Sequence, residues 1–508
     1  MGRSMLLVLK NSFTGLASQI ISMFFLFITR NLFIKYIGID LLGLNGTFAS
    51  ILQTLSLAEL GFQTAIVHSM YKPLAENDTN KLNDIVNAFK YIYRIIGIIF
   101  IVGSLAVCPF LDRIITGIEV TKTIYLYFLI QSLSSVASYF LAYKRSLLFA
   151  DQKDYISKII DMAVNIVACL CQLIAIVFYH SYFWYITIKV LQVVIANIFV
   201  HISCNRIYPY LKKDKLDKNL LGNLWTDVKS IFIGKIASYI YSSTDNLVIS
   251  SLISTSLVGV LTNYTVIILN LKTLLNCLVA PIAPIVGKSI AERKSQQQQY
   301  KELRIYTHFR FILASLIIIP VIVLIDTFIC FWVGEQYTLG GLVVVLICIE
   351  FYIHLVHSAL CDYVNGEGLF NEEKNISIIA AIMNLITSIV LALGIGLEGV
   401  LIGTIISQSI FWVGRSMIVS RNCFYEINNV LVKYWGEQIL YAILFVIMSC
   451  VCKIAFSFVT INHPLFEFLI GGILCEVIII VMYLVAFHRN DNFKELLSML
   501  KKFIGKEA

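Results

Sequence analysis

Residues 20–76 read IISMFFLFITRNLFIKYIGIDLLGLNGTFASILQTLSLAELGFQTAIVHSMYKPLAE. Two apolar stretches flank a polar corner at Gly38 to Asn45, and each is long enough to cross a hydrocarbon core of about 30 Å. Arg30 and Glu59 lie inside them. The pattern returns later. STDNLVISSLISTSLVGVLTNYTVI, from Ser243, repeats ITRNLFIKYIGIDLLGLNGTFASI, from Ile28, with Thr29, Asn31, Leu32 and Ile34 falling on Thr244, Asn246, Leu247 and Ile249 at a shift of 215. After one inserted residue the shift is 216, and it pairs Gly43 with Gly259, Lys72 with Lys288, Glu76 with Glu292 and Arg94 with Arg310. A duplicated helical unit with polar groups buried between its copies is a common plan among secondary transporters.

Working outward, the composition excludes a soluble globule. Of 508 residues, 58% are hydrophobic and 14% charged, with a mean hydropathy of +0.83. Reading apolar runs against polar breaks predicts an all-α polytopic membrane protein with about fourteen transmembrane helices. Two pseudo-symmetric six-helix lobes around a central cavity, plus two appended helices, account for that number. The expected domains are an N-terminal lobe at 1–222, a C-terminal lobe at 223–425, and at 426–508 two further spans with an amphipathic tail. RIYPYLKKDKLDKNLLGNL, from Arg206 to Leu224, is the expected linker.

The net charge of +8 is spread over short loops, which argues against a nucleic-acid surface. Lysines and arginines crowd the even-numbered connections, so the positive-inside rule places those loops and both termini in the cytoplasm. The twelve cysteines lie mostly within or beside spans, with no CxxC spacing, and are expected to be thiols rather than disulfides or metal ligands. Phosphate-loop, zinc-protease and hydrolase signatures are absent, and no long extramembrane stretch could hold a catalytic domain, so a non-enzyme is expected.

Ionisable residues inside apolar spans are costly unless paired, hydrated or opposed by a charged ligand, which makes them the candidate working residues. Lys272 lies near the middle of span eight, too deep to snorkel easily; the alternative is that it only neutralises a neighbouring carboxylate. Arg30 and its repeat partner Asp245 occupy matching depths and could meet, or each could pair locally. Lys235 and Lys189 sit nearer the ends of spans seven and six. Glu59 could face a basic residue or bond another helix. In EFYIHLVHSALCDY, Glu350, His354 and His357 fall on one helical stripe, a pattern suited to ion or proton coupling and equally to interhelical hydrogen bonding. Asn31, Asn246, Asn263 and Asn270 could hydrogen-bond a sugar.

RNLFIKYIGIDLLGLNGTFASILQTLSLAELGFQTAIVHSMYKPLAENDTNKLNDIVNAFKYIYRIIG, together with STDNLVISSLISTSLVGVLTNY, resembles Wzx-type polysaccharide flippases of the multidrug/oligosaccharidyl-lipid/polysaccharide (MOP) exporter superfamily, and the likeness extends over both lobes. The resemblance implies alternating access and export of undecaprenyl-diphosphate-linked oligosaccharide from the inner to the outer leaflet of a bacterial cell membrane. That cargo would feed capsule or O-antigen synthesis, beside a polysaccharide polymerase and assembly proteins and with no cofactor. It also implies a cationic cavity, to which Arg30, Asp245 and Lys272 carry over, and a groove for the lipid tail on the last two helices. Two alternatives remain. One is a MATE-like drug/cation antiporter; the other is a membrane glycan polymerase or ligase, for which long outer loops rich in arginine or histidine would be expected.

Overall fold

A computed structural model describes residues 2–56, 69–70, 73–74, 76–151, 153–211, 244–279, 286, 290, 295–459, 461, 463–488 and 493–495. They form fourteen helices of seven residues or more. In chain order these are α1 (Gly2–Tyr36), α2 (Ile39–Leu55), α3 (Thr79–Val107), α4 (Lys122–Leu141), α5 (Asp154–Val177), α6 (Tyr182–Ile207) and α7 (Asp245–Leu252), then α8 (Thr255–Val279), α9 (Gln296–Trp332), α10 (Gly341–Glu367), α11 (Phe370–Ile395), α12 (Leu397–Cys423), α13 (Val430–Phe456) and α14 (Pro464–Phe487). Ten helical stretches among the described residues are long and apolar enough to cross a membrane. The polytopic all-helical fold expected from the apolar runs is the one observed. The expected linker lies mostly outside the described residues, as does most of the tail.

Local chemistry sets several helix starts. Asp78 accepts from the Lys81 amide at 3.0 Å to begin α3, and Ser295 accepts from the Gln298 amide at 3.4 Å to begin α9. The 37-residue α9 continues through Pro320, whose ring removes one backbone donor.

The chain divides into two compact units, Met1–Gly259 and Val260–Ala508. The first has an aromatic-rich core in which Phe48 and Phe128 meet edge to face at 5.3 Å. In the second, Phe311 stacks on Tyr441 at 4.6 Å. Buried His308 of α9 joins Tyr441 of α13 through Nδ1 at 3.0 Å and Tyr483 of α14 through Nε2. The two helices that lack a counterpart in the repeat are thereby fastened to the second unit.

The displacement of 216 carries through to helix boundaries. α5 starts at Asp154 and α11 at Phe370; α6 ends at Ile207 and α12 at Cys423. Inside the first unit, the opening of the second copy reaches back to the first. A Cβ placed on Gly259 would lie 2.6 Å from the Ile39 carbonyl oxygen and 3.0 Å from the Gly43 nitrogen, so only glycine permits the crossing. Asp40 accepts from Ser256, also 216 residues away. Thr116 and Thr255 exchange bonds, the Thr116 amide reaching Thr255 Oγ1 and the Thr255 amide reaching the Thr116 carbonyl, each at 3.1 Å. Repeat-equivalent positions thus meet, Gly43 against Gly259 through the backbone and Asp40 with Ser256 through side chains.

Candidate functional site

Lys272, on α8, holds its ammonium 3.0 and 3.1 Å from the two carboxylate oxygens of Glu350 on α10, and 5.4 Å from the centre of the Phe351 ring. Both side chains are 19% exposed, a depth at which a lone charge would be costly. Gln408 on α12 donates to Glu350 at 2.8 Å, and its carbonyl oxygen faces His357 Nε2 at 3.0 Å. Arg415, two turns further along α12, reaches His357 Nδ1 at 3.0 Å and donates through Nε to Glu373 of α11 at 2.5 Å.

Chemistry sets the direction of this chain. A guanidinium can only donate, so His357 Nδ1 accepts, its proton sits on Nε2, and that N–H donates to the Gln408 carbonyl. The Gln408 amide is then oriented with its NH2 toward Glu350. One glutamate therefore accepts from both Lys272 and Gln408, and four helices are bonded through buried polar groups. A doubly protonated His357 would lose its bond from Arg415. His354, one turn from Glu350, sits half-buried within electrostatic range of Lys272, Glu350, Arg415 and Arg310. Its ring makes no hydrogen bond among the described residues and meets His357 edge-on at 5.9 Å. Of the stripe on α10, then, Glu350 and His357 are committed to hydrogen-bonded partners. Nearby, Arg310 donates to the Leu355 carbonyl at 3.0 Å and to Asp362 at 3.1 Å, while the Tyr306 hydroxyl donates to Asp362 at 2.5 Å.

In the first unit, Arg30 is half-buried on α1 within electrostatic range of Tyr185 on α6, and Phe33 packs edge-on against that tyrosine at 4.9 Å. Lys189 follows Tyr185 by one turn, is half-buried, and makes no ion pair among the described residues. Asn31 is half-buried on α1; Asn246 donates to Ser50 at 3.1 Å; Asp245 opens α7 and is half-buried. Glu59 and Lys235 lie outside the described residues.

The structure joins Lys272 to Glu350 and His357, which the sequence singled out separately. It adds Gln408, Arg415 and Glu373. Arg415 carries a signal of the same kind as Lys272, an ionisable group inside an apolar run. Gln408 has a repeat counterpart, Gln192, at the same displacement. Glu373, in the first turn of α11, offers no signal until its partner is known.

No protein-family model and no curated protein sequence matches the chain. Solved structures do match it. The lipid II flippase MurJ, in an inward-closed conformation, superposes with a TM-score of 0.73 at 15% identity, over 95% of this chain and 99% of MurJ. An inward-facing multidrug resistance MATE-family transporter of the MOP superfamily gives 0.59 at 10% identity, over 81% of this chain and 98% of that one. A mutant of the Vibrio cholerae MATE transporter VcmN gives 0.54 at 14% identity, over 84% and 100%. The fold is that of MOP-superfamily transporters and flippases.

Proposed function

We propose that the chain exports undecaprenyl-diphosphate-linked oligosaccharide from the inner to the outer leaflet of a bacterial cell membrane by alternating access, with both termini in the cytoplasm and with no covalent chemistry of its own. The observation that carries this reading is the Lys272–Glu350 pair, 3.0 Å apart and largely shielded from solvent. A diphosphate is a stronger anionic partner for an ammonium than one carboxylate, so cargo can displace Glu350 from Lys272. The released glutamate, beside His354, then becomes the group that takes up a proton or cation, which couples cargo to ion. Arg30 and Lys189 supply the corresponding basic groups of the first unit. The likeness to MurJ, over 95% of the chain, supports a lipid-linked cargo. Cell-surface polysaccharide synthesis, with a polymerase and assembly proteins acting next, is the role that follows.

The test is leaflet accessibility of labelled undecaprenyl-diphosphate oligosaccharide in vesicles holding the purified protein. Lys272→Ala should abolish transfer at equal protein abundance, and Lys272→Arg should retain part of it. Normal transfer by Lys272→Ala would remove Lys272 from the site. A second reading, drug/cation antiport, draws on the likeness to MATE transporters and on the carboxylate of Glu350. It requires that a cationic drug, rather than the lipid diphosphate, move in the same vesicles.

A further inference from the structure

Helices α5 and α6, joined by a short connection, leave an apolar groove between them. Its larger part has a volume of about 570 Å³ and is lined by Ile159, Ala163, Val167 and Cys171 of α5 and by Ile195 and Phe199 of α6, among others. A second cavity of about 320 Å³ shares Cys171 and Ile188 with it and continues to Tyr179 and Trp184. From Ile159 to Ala175 the two together run for about 24 Å at 1.5 Å per residue. The floor stays apolar because Gln192 turns its amide to Asn165 at 3.0 Å.

The two ends differ. Exposed Lys158 immediately precedes Ile159, and exposed Arg206 lies one turn beyond Ser203, the last lining residue of α6. Neither makes an ion pair among the described residues. Of the nearby acids, Asp151 and Asp161 are already engaged, by Lys153 at 2.6 Å and by Arg145 at 2.7 Å, and Asp154, one turn before Lys158, makes no ion pair among the described residues. At the far end Phe178, Tyr179 and Trp184 are 75%, 67% and 51% exposed, as aromatic residues are at a membrane interface.

We propose that this groove holds the chain of a long single-chain anionic lipid, of the polyprenyl phosphate class, with its phosphate at Lys158 and Arg206. The argument is one of charge and length. An acyl chain of an ordinary phospholipid ends near the bilayer midplane, about 15 Å from its headgroup level, so two lipids, one from each leaflet, would be needed to fill the groove, yet only one of its ends is basic. A polyprenyl chain crosses the midplane and covers the whole of it. The inference rests on the flippase reading for the identity of its lipid, and places the tail on α5 and α6 rather than on the last two helices.

Native mass spectrometry of the full chain in detergent, with undecaprenyl phosphate and a palmitoyl-oleoyl phosphatidylglycerol as competing probes, tests it. The wild type should hold undecaprenyl phosphate at least tenfold more tightly. Ala163→Trp and Ile195→Trp, both at exposed positions, should erase that preference without moving the melting temperature, and Lys158→Gln with Arg206→Gln should weaken both lipids alike. Equal affinity for the two lipids, or an undiminished preference in both tryptophan variants, overturns the proposal. If the groove binds undecaprenyl phosphate but vesicles show no transfer of the lipid-linked oligosaccharide, the transport reading fails and the groove stands. If transfer proceeds and the tryptophan variants keep their preference, the groove fails and the transport reading stands.

Discussion

Helices α5 and α6 of the first unit and α11 and α12 of the second stand at equivalent places in the repeat, yet one pair opens a groove and the other closes tightly. In α12, a Cβ at Gly403 would lie 2.7 Å from the Ser388 nitrogen, one at Gly399 would lie 2.8 Å from the Ala392 nitrogen, and one at Gly414 would lie 2.5 Å from Ile376 Cδ1. Their counterparts in α6, at the same displacement of 216, are Phe183, Thr187 and Ile198, which forbid so close an approach. The facing positions diverge as well. Ile188, Leu191 and Phe199 border the groove, whereas Thr404, Ser407 and Arg415 stand in their places, with Thr404 bonded to Asn384 at 3.3 Å. Gln192 and Gln408 are the same residue put to different ends: one satisfies Asn165 beside an apolar groove, the other links Glu350 to His357. Half of the apolar window of α12, at 50%, is buried, against 22% for its counterpart α6, while α11 and α5 are alike at 28%. In the duplicated scaffold α6 thus borders an apolar groove where its counterpart α12 carries polar groups, and side-chain volume at a few positions separates the two.

The hardest blow to that contrast falls on the buried pair. Glu350→Leu leaves the Lys272 ammonium without its carboxylate and should destabilise the protein by about 3–5 kcal/mol. Adding Lys272→Met should recover most of that stability while transfer stays lost. Thermal unfolding in detergent reads the first effect and the vesicle assay the second. A double variant as unstable as the single one would deny the pairing. Next comes the volume argument. Gly403→Leu should fall at the upper end of the roughly 1–3 kcal/mol cost of overpacking, and Thr187→Leu at the equivalent place should cost less than about 1 kcal/mol. Equal costs would mean that volume does not set the helix spacing.

The glutamines give a smaller difference. Gln408→Leu strands a His357 N–H and removes one of the two donors to Glu350 Oε1, for about 1–2 kcal/mol, while Gln192→Leu should stay nearer about 0.5–1 kcal/mol. Reversal of that order in unfolding midpoints would show that the chain from Arg415 to Lys272 adds nothing. The smallest effect is spectroscopic. Nitrogen-15 NMR of His357 should report a proton on Nε2 alone, and Arg415→Leu should admit the other tautomer. A proton on Nδ1 in the wild type would break the direction assigned to the chain.

The membrane class, the helical architecture and the duplication were all readable along the chain. Apolar length reports burial in hydrocarbon, and the pairing of Gly43 with Gly259 needs no coordinates to be noticed. Lys272 and the Glu350–His357 stripe were readable as candidates for the same reason, since an ionisable group in an apolar run is costly wherever its partner lies. That the partner of Lys272 is Glu350, 78 residues on, was decided only by helix packing. So were the conscription of Gln408, Arg415 and Glu373 into one directed chain and the commitment of His357 to Arg415. The groove belongs to that second category too. α5 and α6 read as two ordinary apolar spans, and whether such spans close or part depends on how the volumes of two facing surfaces fit, which no single stretch of sequence contains.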